Sequence, residues 1–206
     1  VAICGYHGWH DWYLAANIGT ENALGEHLIS GLSPAGVPQA LKGTTLTFKY
    51  NDIDSLKAVL AANNGRVAAV IMEPVRSVEP EHGFLQGVRQ LANEAGAVFV
   101  FDEISSGFRL NCGGAHLLYG VEPDMAVFSK ALGNGFPIAA VIGRAAVMES
   151  AQKTFISSTM WTERIGPVAA LAMIRKYQAL KVHEHLVGIG RQVQQGWEEA
   201  GRRHGL

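Results

Sequence analysis

Two acids end an apolar run. In "AVFVFDE" the residues from Ala97 to Phe101 are apolar, and Asp102 and Glu103 follow at once. "DMAVFSKALGNGF" repeats the design with the opposite charge: apolar residues, then Lys130, then a glycine-rich turn. In "RVAAVIMEP" the run ends in Glu73 and is stopped by Pro74. A lysine in a partly desolvated pocket has a lowered pKa and can form a Schiff base with an aldehyde. A carboxylate facing the nitrogen of a pyridine aldehyde keeps that nitrogen protonated, so the ring accepts electrons from a substrate carbanion. Asp102 and Lys130 form such a pair, and the cofactor it calls for is pyridoxal 5'-phosphate. Taken singly, each of these residues is equally well a solvated strand end or a helix cap.

The elements that must carry these residues alternate. "VAIC" reads as a short strand and "TLTFKYN" as another. Gly5 to Lys42 is rich in Gly, His and Trp with little periodicity and reads as a long, partly ordered excursion. Ile53, Leu56, Val59 and Leu60 are spaced for a helix within 52–63, as are Phe84, Leu85, Val88 and Leu91 within 83–95, where Gly96 is the stop. "RVAAVIMEP", "AVFVFDE", "DMAVFSK" and "PIAAVIG" are buried strands, and 167–180 and 183–204 read as closing helices. Continuous apolar strands separated by helices predict an α/β fold: a mostly parallel sheet flanked by helices on both faces. Such sheets bind ligands outside the carboxyl ends of their strands, where Glu73, Asp102 and Lys130 all fall.

Composition excludes several classes. With 206 residues, 48% hydrophobic and a formal net charge of −1, the chain has no basic surplus for nucleic acid and no acidic tail. No apolar run approaches the roughly 18 residues of a membrane span. Cys4 and Cys112 make no disulfide framework and no Cys-x-x-Cys pair, so a reducing cytoplasm is expected. His7 and His10 lack a third ligand at metal spacing. "HEH" at 183–185 reads as a solvated helix face. "GNG" after Lys130 lacks the third glycine of a dinucleotide loop and reads as backbone clearance near the lysine.

The stretches "GYHGWHDWY", "AGVPQAL", "FKYND", "AAVIMEPV", "GFLQGVRQLANEAGAVFVFDEISSGFR", "GVEPDMAVFSKALGNGFPIAAVIGR" and "TERIGPVAALA" together resemble class III aminotransferases of the fold-type I pyridoxal-phosphate enzymes. Within them the chain looks closest to glutamate-1-semialdehyde 2,1-aminomutase and its relatives. The resemblance implies that Lys130 carries the cofactor and shuttles the substrate proton, and that Asp102 pairs with the ring nitrogen. It implies that Ile104 packs on one ring face and Tyr6 stacks on the other, with His7 and Gly8 completing "YHG". Glu73 is expected to support the site near Asp102. Thr162 is expected to reach the cofactor phosphate of the neighbouring subunit in a homodimer with sites at the interface. Trp9, Trp12, Phe155 and Trp161, in loop-like segments, are expected to mark that interface.

The resemblance also places residues 1–206 in the central part of the cofactor-binding large domain. Family members are about twice as long, and the Gly-Thr phosphate-binding turn and the small C-terminal domain are expected outside this stretch. The implied reaction moves an amino group between an amine or amino acid donor and a keto or aldehyde acceptor. The aminomutase alternative moves it within one molecule. "EPVRSVEPEHGF" and "STMWTERIGP" depart from the aminomutase pattern, as does "IGP" where the family has Gly-Asn-Pro. These departures point to another substrate, such as a keto sugar or another carbonyl compound. Two readings of different class stand beside this one. A Ser-His-Asp hydrolase is disfavoured because no Gly-x-Ser-x-Gly elbow occurs. The other is a non-catalytic remnant serving as a binding or dimerisation module.

Overall fold

A six-stranded sheet in the order β2-β1-β3-β4-β5-β6 organises the chain. The computed structural model describes residues 1–160 and 162–205. The strands are β1 Ala2–Cys4, β2 Leu46–Thr47, β3 Ala69–Met72, β4 Val98–Asp102, β5 Met125–Phe128 and β6 Ala140–Gly143. Strands β1 to β5 run parallel, and β6 returns antiparallel along β5. The registers Cys4↔Met72, Met72↔Phe101 and Asp102↔Val127 bring the carboxyl ends of four neighbouring strands to one rim. That shared rim explains why the apolar runs end in reactive residues.

The helices are α1 Asp11–Leu14, α2 Ala16–Gly19, α3 Ile53–Ala62, α4 Phe84–Glu94, α5 Ala145–Met148, α6 Ile165–Leu180 and α7 Val182–His204. Asp52 caps α3 by accepting from the Ser55 backbone N–H at 3.0 Å. Gly96, in the left-handed region with φ 65°, ends the α4 turn where a side chain would be strained. Leu56 of α3 and Leu85, Val88 and Ala92 of α4 join Val70, Met72, Phe99 and Phe101 of the sheet in the main core. Fully burying each such aliphatic or aromatic side chain contributes roughly 1.5–3 kcal/mol.

Several expectations are revised. The segment after Gly5 is packed, because Tyr13 and Leu24 are fully buried against Ile3 and anchor it to the sheet. "TLTFKYN" contributes only two residues to strand β2. Trp12 lies in α1 and is partly buried against this second cluster, so it is not an exposed loop aromatic. His183 is also not a solvated-face residue: its ring stacks on Tyr177 at 5.8 Å and 12°. Trp161 lies outside the described residues.

Candidate active site

Each strand delivers one part of the rim. After β1 the chain turns at Gly5, where φ is 118° and a Cβ would collide with the Glu73 carboxylate. Glycine is therefore required if Tyr6 and His7 are to follow directly. The Tyr6 backbone N–H donates to Glu73 Oε2 at 3.1 Å, and the Tyr13 hydroxyl donates to the Gly5 carbonyl at 3.0 Å. Both bonds hold the Tyr6–His7 turn in place. Glu73 thus braces the site through Tyr6, with Arg76 Nε 3.4 Å from the same oxygen. Burial is the main force raising the Glu73 pKa, against the Tyr6 N–H and the His7 and Arg76 charges, with Asp102 adding to the rise.

Asp102 is buried, and each of its oxygens has a partner. Oδ2 lies 2.9 Å from His7 Nδ1, and Oδ1 accepts from the Ile104 N–H at 3.0 Å. A carboxylate oxygen has two lone pairs, so one acceptor position per oxygen remains for a ligand. His7 Nε2 is buried with no hydrogen-bond partner. Tyr6 is half-buried, with its ring edge-on to Trp9 at 5.6 Å and to Tyr13 at 5.9 Å. Burial first, and then the Asp102 charge, push its phenol pKa up. Ile104 is half-buried in the turn that leaves β4.

Glu103 answers the puzzle of the paired acids. Its side chain is fully buried and faces away from the chemistry. It accepts from Ser106 Oγ at 2.6 Å and from the His116 N–H at 2.9 Å, and lies 2.7 Å from His116 Nδ1. Burial alone would raise its pKa, but these hydrogen bonds outweigh that and hold it below the ordinary value. Glu103 therefore ties down the loop that carries Ile104 and Ser105. No sequence signal separated its structural role from that of Asp102 beyond the period-two alternation of a strand.

Lys130 stands two residues beyond the end of β5, at the start of a short 3-10 turn. Its φ is 45°, an unusual left-handed conformation for a non-glycine residue, worth about 1–3 kcal/mol of strain. Its amine donates to Ser105 Oγ at 2.7 Å, and Ser105 lies three residues after Asp102. The expected desolvation is not found: Lys130 is exposed in this chain. A Cβ at Gly133 would meet the Phe136 carbonyl oxygen, which bears out the reading of the glycine turn as clearance. Ser105, the partner of Lys130, was not singled out in the sequence.

Thr162 is exposed and, among the described residues, makes no hydrogen bond to the rim. Helix α6 begins at Ile165, and the Glu163 carboxylate accepts from the N–H groups of Ile165 and Gly166. The Glu163 side chain thus satisfies two N–H groups of the first turn. Two clefts open on the rim. One, of about 430 Å³, is lined by Tyr6, Glu73, Arg76 and Ser105. The other, of about 720 Å³, holds Lys130. Arg109 lines both.

A buried carboxylate with free acceptor positions, an accessible amine after the next strand and the half-buried Tyr6 and Ile104 on the same rim fit a pyridine aldehyde. The comparisons agree with that geometry. Residues 3–205 match the family described as aminotransferase class-III. The chain belongs to the class III aminotransferases, a pyridoxal-phosphate-dependent family.

Among the individual relatives, 3-aminobutyryl-CoA aminotransferase of Cloacimonas acidaminovorans is 37% identical over 98% of this chain and 47% of its own length. Glutamate-1-semialdehyde 2,1-aminomutase of Roseiflexus castenholzii is 36% identical over 95% of this chain and 45% of its own. An omega-transaminase from Sphaerobacter thermophilus superposes with a TM-score of 0.82 at 29% identity, over all of this chain and 50% of that one. The PLP internal aldimine form of the Sphingopyxis sp. MTA144 FumI protein gives a TM-score of 0.84 at 26% identity, covering 100% of this chain and 48% of that one. The chain spans about half the length of the curated relatives it matches.

Proposed function

We propose that this chain is the cofactor-binding core of an aminotransferase that moves an amino group from an amine or amino acid to a keto or aldehyde acceptor. One observation carries the reading. Asp102 and Lys130 end neighbouring parallel strands, and the Lys130 amine reaches Ser105 in the turn that Asp102 begins. Pyridoxal 5'-phosphate, when bound, supplies an aldehyde for attachment to an amine and a ring that accepts electrons from a substrate carbon. Asp102 would hold the ring-nitrogen proton by charge pairing, and His7 orients that carboxylate. Tyr6 and Ile104 would cover the ring and exclude water, while Glu73 braces Tyr6. Lys130 Nζ would hold the cofactor, and its amine would serve as general base and acid for the substrate proton.

Residues 1–206 are read as part of the large domain of the longer family architecture. The aminomutase reading, transfer within one molecule, is the second form of the same chemistry and is supported by the 36% identity to an enzyme of that name. Among the described residues no helix is long and apolar enough to cross a membrane. The cytoplasmic reading rests on two free cysteines, of which Cys4 is buried with its thiol pKa pushed up to about 12, chiefly by burial.

Borohydride reduction after adding pyridoxal phosphate tests the central assignment. The label is expected on Lys130 and absent from Lys130→Ala. Label on another lysine refutes the assignment, and no label in folded protein supports the non-catalytic remnant. We further infer a two-fold homodimer in which Thr162 reaches the partner's cofactor phosphate. The exposure of residues 154–160 and of Thr162, with Phe155 97% exposed, supports that reading. Mixing inactive Lys130→Ala and Thr162→Ala subunits should restore activity through one intact site per mixed dimer. No recovery, with exchange of subunits shown independently, removes Thr162 from the partner's site.

A further inference from the structure

His27 has no part in the chemistry above, yet its ring reaches the turn that leads to the site. Strand β2 ends at Thr47, and the Phe48 N–H donates to the Ile3 carbonyl at 3.0 Å. The next rung of such a parallel ladder would take up the Gly5 N–H. Here His27 Nδ1 accepts it instead, at 3.1 Å and in buried surroundings. His27 itself is buried. A ring nitrogen that accepts carries no proton, so this imidazole is the neutral Nε2–H tautomer. Burial first, then the Arg76 and His7 charges, push its pKa down to about 4 against the pull of Glu26.

The backbone of His27 is tied to the neighbouring strand end. Its carbonyl accepts from Arg76 Nη2 at 2.9 Å, and Arg76 Nε lies 3.4 Å from Glu73 Oε2, the acceptor of the Tyr6 N–H. His27 thus joins the carboxyl ends of β1 and β3. Tyr13 works from the other side: its hydroxyl donates to the Gly5 carbonyl, and its ring stands edge-on to His7 at 5.9 Å. Gly5, at φ 118°, has no side chain to fix it, so these two bonds set its peptide planes. Two residues further on, the His7 ring meets Asp102 at 2.9 Å.

We propose that His27 is a positioning residue: by accepting the Gly5 N–H it sets the turn from which His7 meets Asp102. It acts through Gly5 and His7 and not on the reacting atoms. Without this acceptor a buried N–H is left unpaired, and the Gly5 peptide turns to find another partner, taking His7 off the Asp102 carboxylate. The importance of this for amino transfer rests on the role given to Asp102 above. The link from His27 to His7 does not.

Ring-nitrogen NMR of the full chain, labelled at histidine and with His7 assigned from His7→Gln and His27 from His27→Asn, tests it. In the parent, His27 Nδ1 should read as an unprotonated acceptor and His7 Nδ1 as a protonated donor. His27→Leu should shift the His7 signals toward those of a free imidazole, and weaken pyridoxal phosphate about tenfold through the misplaced Asp102. His27→Asn offers a side-chain oxygen in place of Nδ1; it should restore the His7 signals and bind the cofactor within about threefold of the parent. Asn17→Ala is the control, because Asn17 holds the Leu24 N–H and the Leu32 carbonyl of the same segment. It should leave His7 unmoved. Circular dichroism checks that each variant is folded. A protonated His27 Nδ1 in the parent overturns the proposal even if no variant folds. So do unmoved His7 signals in folded His27→Leu, equal shifts in Asn17→Ala, or no restoration by His27→Asn. Borohydride labelling separates the two ideas. Label on Lys130 with His7 unmoved by His27→Leu removes the positioning role alone. No label, with His7 moved, upholds the His27–His7 link and removes the amino-transfer reading.

Discussion

The acid side and the lysine side of the rim are built to different standards. Asp102 is buried and held by His7 and by the Ile104 N–H, and Glu103 behind it is fully enclosed by Ser106 and His116. Lys130 is exposed, has a left-handed backbone and donates a hydrogen bond to Ser105. The difference follows the tasks proposed for the two residues. A group that must hold a proton in one place through the reaction is preorganised. A group that must attach, release and carry a proton between atoms needs freedom.

The strongest way to break this comparison is Asp102→Asn. The shape is kept and the charge lost, so amino transfer should fall by about two orders of magnitude or more, while Lys130 still takes the borohydride label. Turnover close to that of the parent would show that the acid side does not hold the ring proton. Next in size is Glu103→Ala, which leaves Ser106 and His116 without their buried acceptor. A loss of about 3 kcal/mol in urea unfolding at neutral pH is expected.

The pH dependence sharpens that result. The folded Glu103 pKa lies below its ordinary value of 4.5. Its stabilisation is complete above that value and is lost as pH falls through the folded pKa. The Glu103→Ala protein should therefore lack that part of the acid loss, and parallel curves for the two proteins would contradict the account. The smallest effect belongs to the open side. Ser105→Ala should change unfolding by less than about 1 kcal/mol, since the contact is solvent-exposed. It should slow amino transfer only a few-fold, as judged from initial rates. A loss as large as that of Glu103→Ala would erase the contrast between the two sides.

Much of this was legible in the residues. The parallel sheet followed from continuous apolar runs with helical spacing between them, and Lys130 and Asp102 stood out because charge ended those runs abruptly. What could not be read was partnership across distance. His7 and Asp102 are 95 residues apart, so no local pattern announces their bond. Glu103 and Asp102 are adjacent acids, and only the folded sheet assigns one to the rim and the other to the interior. The packing after Gly5 was missed because Tyr13 and Leu24 anchor a segment that has no periodicity. The exposure of Lys130 depends on the turn geometry from 130 to 135, which glycine content suggests without fixing.

The long reach of the His7–Asp102 contact also orders events in time. Closing a loop costs entropy that grows with the logarithm of its length. The Lys130–Ser105 contact spans 25 residues and the His7–Asp102 contact 95. The longer closure is dearer by about 1 kcal/mol if made alone. A refolding chain that makes these closures independently is therefore expected to join Lys130 to Ser105 before His7 reaches Asp102. Until β1 docks beside β3, Asp102 stands on the strand beside Lys130 without His7, and its carboxylate gains that fixed orientation only with this long-range pairing.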